Sequence, residues 1–198
     1  MTRLVRATEL VGMAVVTIDG DDIADIKDIV FDGETGRVRG FTLNGRGLFA
    51  GPLHKALPAE SVRAVGRDAV MIDDAALTVG LEAVVPAARI GDSDVLGDHV
   101  LTEGGTDLGT VADVILEVRD GVVDLVGYEI VASAALHSDG RRVLLPLPRT
   151  VATSGEAVIV PTDVVQFLRQ DLPGFGNAVA AFRHREHDAE EGGGDVAQ

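Results

Sequence analysis

The chain repeats itself, and this constrains its fold more than any other feature. Val11-Gly12 recurs as Leu96-Gly97, 85 residues on. At the same spacing Val16-Thr17 meets Leu101-Thr102, Asp19-Gly20 meets Gly104-Gly105, Asp22-Ile23 meets Asp107-Leu108, and Ile26-Lys27-Asp28-Ile29-Val30 meets Val111-Ala112-Asp113-Val114-Ile115. The spacing then widens to 87, where Gly40-Phe41-Thr42-Leu43 meets Gly127-Tyr128-Glu129-Ile130. It reaches 88 where Leu57-Pro58 meets Leu145-Pro146 and Ala69-Val70-Met71-Ile72 meets Ala157-Val158-Ile159-Val160. Small insertions in surface connections account for the drift, because such connections tolerate added residues. The chain is a duplication of a unit of about 75 residues.

Each copy reads as β structure. Val15-Val16-Thr17-Ile18 and Ile29-Val30-Phe31 are rich in β-branched and aromatic side chains, which suit a pleated, half-buried surface. Asp19-Gly20 and Gly104-Gly105 fall between apolar runs, as hairpin turns do. Glu34-Thr35-Gly36 and Arg119-Asp120-Gly121 supply the next turn in each copy. Short strands at roughly ten-residue spacing predict a small antiparallel barrel or sandwich. A barrel is favoured, because so small a unit has few other ways to hide its sheet edges. Between the copies, Val84 to Asp94 carries Pro86 and a Gly/Asp/Ser cluster, the marks of a connection.

Beyond Pro161 the pattern turns helical. Thr162 is the expected cap of a helix whose apolar positions are Val164, Val165, Phe167, Leu168 and Leu172, ended by Pro173-Gly174. A second helical stretch is expected from Asn177 to Glu191, with Val179 and Phe182 on one side, before a disordered acidic end. The reading is therefore all-β: two tandem small antiparallel barrels over 1–85 and 92–161, then a helical segment and tail over 162–198.

Composition narrows the function. The 198 residues carry 17 Lys and Arg against 32 Asp and Glu, a net charge of −15, which opposes the phosphate-neutralising surface of a nucleic-acid binder. With no cysteine, disulfide frameworks, thiolate nucleophiles and cysteine-ligated metals are excluded together. No apolar stretch approaches the ~18–20 residues of a membrane span. The start, Met1 to Arg6, meets Glu9 before a signal-type apolar run develops. A cytoplasmic protein is expected, without a membrane span and without direct nucleic-acid contact.

The first copy resembles the PRC-barrel domain, the small β-barrel named after the photosynthetic reaction-centre H subunit. The resemblance lies in Ala7-Thr8-Glu9-Leu10-Val11-Gly12, Val15-Val16-Thr17-Ile18-Asp19-Gly20, Ile26-Lys27-Asp28-Ile29-Val30-Phe31-Asp32, Thr35-Gly36-Arg37-Val38, Leu57-Pro58-Ala59-Glu60 and Val62-Arg63-Ala64-Val65-Gly66. The second copy is more divergent but keeps Leu96-Gly97, Leu108-Gly109, Val111, Asp113-Val114 and Leu145-Pro146. The resemblance implies PRC-type barrels that serve assembly and not catalysis. Relatives include the cytoplasmic part of the reaction-centre H subunit and the C-terminal domain of a ribosome-maturation factor, and free-standing copies occur in bacteria and archaea. The family has no shared catalytic residues to transfer.

Candidate chemistry is sparse. Asp19, Asp21, Asp22, Asp25 and Asp28 invite a calcium reading, but an EF-hand loop starting at Asp19 would need Gly and Glu where Ala24 and Val30 stand. His184 and His187 are three apart, whereas zinc-protease chemistry places two histidines four apart around a glutamate. No serine sits in a G-x-S-x-G elbow, and Gly45-Arg46-Gly47 lacks the Lys-Ser/Thr of a phosphate cradle. No catalytic residue, metal ligand or cofactor site is assigned. The residues proposed to meet a partner are Leu48, Phe49 and Leu53, in and beside a glycine-rich loop, and Phe167 and Phe182 in the helical segment.

The expected function is non-enzymatic: an adaptor or assembly module that binds other proteins, its duplication raising the effective concentration for a partner. Duplication equally suits a pseudo-dimer of barrels, and a homodimer stays open. The alternatives are an RNA-processing or ribosome-assembly accessory factor, from the maturation-factor branch, and a small-molecule or metal sensor.

Overall fold

The computed structural model describes residues 2–31, 37–46, 51–85, 95–119, 122–137, 140–148, 152–153 and 157–192. The chain divides into two compact units. Unit 1 holds residues 1–94 together with 115–125, and unit 2 holds 95–114 and 126–198. The repeat boundaries and the unit boundaries thus differ, because the units are defined by what packs together.

Unit 1 begins with β1 (Arg3–Arg6) and the single-turn helix α1 (Ala7–Leu10). It continues through β2 (Ala14–Thr17), β3 (Asp22–Phe31), β4 (Val38–Asn44), β5 (Pro52–Pro58), β6 (Ala64–Val65), β7 (Ala69–Ile72) and β8 (Val79–Gly80), and ends in α2 (Leu81–Val84). The sheet runs β6-β7-β2-β3-β4-β5-β8. Alternation along β2 buries Val15 and Thr17, and along β3 it buries Ala24 and Ile26. With Phe41, Leu43, Leu57, Val70 and Ile72 these side chains form the core.

Unit 2 is built on β9 (His99–Thr102), β10 (Asp107–Arg119), β11 (Val122–Ala132), β12 (Arg142–Pro146), β13 (Ala152–Thr153), β14 (Ala157–Val160) and α3 (Leu172–Gly192). The ladder order is β12-β11-β10-β9-β14-β13. Residues 115–125, the end of β10 and the start of β11, belong to unit 1, where β1 pairs with 115–118.

The duplication extends to individual hydrogen bonds. The Asp21 N–H donates to Thr17 Oγ1 at 3.0 Å, and the Thr106 N–H donates to Thr102 Oγ1 at 3.0 Å. Both threonines are buried, so each hydroxyl closes its hairpin turn from within. Those turns also need Gly20 and Gly105, which hold φ of +93° and +79°. Gly40 and Gly127 answer a different need. A Cβ on Gly40 would strike the Leu57 carbonyl, and one on Gly127 would strike the Leu145 carbonyl. Neighbouring strands therefore approach closely at equivalent places in both copies.

One expectation about the sheets is corrected. They are mixed and not wholly antiparallel: β2 runs parallel to β7, from Ala14 opposite Ala69 to Thr17 opposite Ile72, and β9 runs parallel to β14, from His99 opposite Ala157 to Thr102 opposite Val160. A parallel pair needs a long crossover, and in unit 1 the intervening strands β3 to β6 supply it. Among the described residues each ladder also runs between two end strands and does not return on itself.

The helical segment departs from expectation as well. Thr162–Phe167 is a 3-10 helix entered from Pro161, without a side-chain cap from Thr162. Pro173-Gly174 opens α3 instead of ending a helix. Proline is tolerated in a first turn, where its missing N–H would have had no partner, and the Asp171 carboxylate accepts the Gly174 N–H at 2.7 Å. Along α3, Phe175, Ala178, Val179 and Phe182 are buried at the spacing of one helix face. Phe175 covers Gly127 in unit 2, the place that Val84 of α2 takes beside Gly40 in unit 1.

Candidate interaction surface

Of the residues proposed from sequence to meet a partner, Leu48 and Phe49 lie outside the described residues. Leu53 sits half-buried on β5 in unit 1. Phe167 and Phe182 come together in unit 2, ring centroids 5.2 Å apart in an edge-on contact. Phe182 is fully buried and Phe167 half-buried, so Phe182 serves the core in this conformation and offers no exposed face. Arg185 lies over both rings, 5.8 Å from Phe167 and 5.2 Å from Phe182, and forms an ion pair with Asp163. The guanidinium thereby ties α3 to the 3-10 helix through a cation over aromatic faces.

The acidic hairpin of unit 1 is partly neutralised from within. Arg46 pairs with Asp22 and lies 3.3 Å from Asp25, while Asp28 accepts Lys27 at 3.2 Å. His184 and His187 are exposed on α3, and among the described residues no group of three or more His, Asp or Glu is placed to hold a metal ion. His99 Nδ1 lies 3.1 Å from Asp107 Oδ2, both side chains largely exposed, and Ser133 Oγ donates to the Asp107 carbonyl at 2.7 Å. That carbonyl bond ties Ser133 to β10, as a turn-closing contact does.

Two features of unit 2 escaped the sequence reading. The exposed Arg142 donates to the buried carboxylate of Glu129 at 2.7 Å, a charge-assisted bond that meets the demand of a buried acid. Tyr128, which replaces Phe41 of the first copy, is buried, and burial together with nearby Asp98 pushes its hydroxyl up to about 12.

Among the described residues six large apolar side chains are exposed, and four of them fall in pairs across the repeat, while Ile18 and Val122 do not. Val11 is 52% exposed and its counterpart Leu96 45%, each directly before a glycine of positive φ at the entry to the repeated hairpin. Leu77 is 37% exposed in the 3-10 turn Ala75–Leu77 after β7, and Val165 39% in the 3-10 helix after β14. Single exposed aliphatics are ordinary on any surface. Here, two copies that differ at most positions expose aliphatics at the same stages of the fold. In the sequence the signal was the pair Val11-Gly12 and Leu96-Gly97, read there as a mark of duplication and not as a surface.

These features define a tandem of small, mostly β units followed by the helix α3, with exposed aliphatics at two matching places in each copy. The PRC-barrel domain model matches twice, over residues 3–78 and 88–166, and the chain belongs to the PRC-barrel domain family. Domains of this family occur in protein-interaction and assembly proteins. No curated protein matches the chain. Among the described residues no helix is long and apolar enough to cross a membrane.

Proposed function

We propose that this protein is a non-enzymatic, cytoplasmic adaptor or assembly module whose two PRC-barrel domains, each closing as a PRC-type barrel, bind other proteins. The observation that carries the reading is the exposure of Val11 with Leu96, and of Leu77 with Val165, at matching stages of the two copies. A surface kept apolar in both copies suits a contact that is made twice, and two linked contacts raise overall affinity without any new chemistry.

Cross-linked capture of partners by the wild-type chain and by Val11→Asp/Leu96→Asp tests this. Both sites are exposed, so the variant should melt close to the wild type. The reading expects a defined set of captured proteins that the variant loses. An unchanged set, from a variant that is still folded, contradicts it.

A further inference from the structure

Unit 1 is not made from the first repeat alone, since it includes Ile115 to Leu125 of the second. There β1 pairs antiparallel with the end of β10, placing Arg3 opposite Val118, Leu4 opposite Glu117, Val5 opposite Leu116 and Arg6 opposite Ile115. Val5, Ile115, Leu116 and Val118 are all buried, so this pairing is part of a core. A second contact joins the same pieces: Arg37 forms an antiparallel bridge with Asp124. Residues 37 and 124 stand three before Gly40 and Gly127, and so hold the same place in the two repeats. A contact between a residue and its own counterpart is what a self-complementary interface has at its centre.

We infer that the repeat's hairpin arm is a self-association element, satisfied within one molecule here, and that a second copy of this chain can supply the same arm by exchange. The arm cannot stay free, because Ile115, Leu116, Val118 and Val123 would all face water. Its intrachain partner, β1, lies far away in sequence, so closing the contact costs loop entropy that grows with length. Tethering therefore gives an effective concentration no higher than about millimolar, and at comparable protein concentrations the arms of other chains compete. Exchange of an identical element keeps every contact, so the exchanged dimer has no packing to lose. This inference is independent of the adaptor reading, since it concerns the chain and its own copy.

The absence of cysteine allows a test by disulfide trapping without background. Leu4 and Glu117 are direct register partners, and antiparallel partners lie within the Cα separation that a disulfide spans. Full-length Leu4→Cys and Glu117→Cys chains are mixed, unfolded in urea, refolded together at low-micromolar and at near-millimolar concentration, and oxidised. The double variant Leu4→Cys/Glu117→Cys, refolded at low concentration, is the control for the pairing itself. The expected result is an intrachain bond in the double variant. In the mixture, peptide mass spectrometry should find a bond between positions 4 and 117 of different chains, at least tenfold more abundant at the higher concentration. Absence of that interchain bond at both concentrations overturns the inference, as does failure of the double variant to close.

Discussion

Gly40 and Gly127 set tight limits at equivalent places in the two copies, because the atoms a Cβ would strike include backbone carbonyls of a paired strand. A carbonyl in a sheet ladder cannot swing aside as a long side chain can. Gly127→Ala must therefore part β11 from β12 and also displace the Phe175 ring, and overpacking of this kind costs about 1–3 kcal/mol. Urea unfolding of the variant should show this as a lowered midpoint. Tyr128 gives a prediction that depends on pH. Its hydroxyl titrates near 12 in the folded chain and near 10 when unfolded. Between those values the unfolded chain has lost a proton that the folded chain keeps, so stability falls as pH rises. The fall amounts to at most about 3 kcal/mol, since each tenfold change in proton affinity is worth ~1.4 kcal/mol. Tyr128→Phe should remove that component of the alkaline loss, as read by denaturant midpoints from pH 9 to 12. The sequence shows the glycine and threonine pairs directly, because turn and close-approach geometry leave few residue types acceptable. Burial of Tyr128, Asp113 and Glu129 could not be read in the same way, since their counterparts Phe41, Asp28 and Thr42 differ in chemistry or exposure.

At the scale of elements, α3 carries the clearest test. Its start rests on Asp171, whose carboxylate accepts the Gly174 N–H, and loss of such a cap costs about 1 kcal/mol. Phe182 is fully buried against Phe167 and beneath Arg185, so Phe182→Ala should cost about 3–5 kcal/mol. Asp171→Ala should mainly fray the helix start, which amide exchange would localise to the first turns of α3. Phe182→Ala should lower the melting temperature of unit 2 as a whole. The strands themselves were legible, since β-branched runs bounded by Asp-Gly and Gly-Gly turns fix where β2 and β3, and β9 and β10, begin. The parallel pairs β2·β7 and β9·β14 were not, because nothing local in Ala69–Ile72 or Ala157–Val160 says which strand lies beside it. The same limit applies to Pro173-Gly174. That dipeptide ends a helix or begins one according to what precedes it, and here Asp171 decides.

For the whole molecule, charge and duplication point to function in different ways. A net charge of −15 predicts that the chain is not retained on a polyanion column at physiological ionic strength. Retention that fell steeply with added salt would instead favour the RNA-associated reading. Duplication was plain in the sequence, yet the units it builds were not, because Ile115 to Leu125 pack in unit 1 although they are written in the second repeat. The proposed surface was missed for a related reason: Val11 and Leu96 look like ordinary strand-flanking aliphatics until their exposure is known. The most direct test of the account is the affinity of one purified partner for the wild type, Val11→Asp, Leu96→Asp and the double variant, all confirmed as folded. If both copies bind, each single change should weaken binding by about tenfold or more through lost avidity, and the double change should abolish it. Equal affinity for all four proteins would contradict the claim that the duplicated turns are the binding surface.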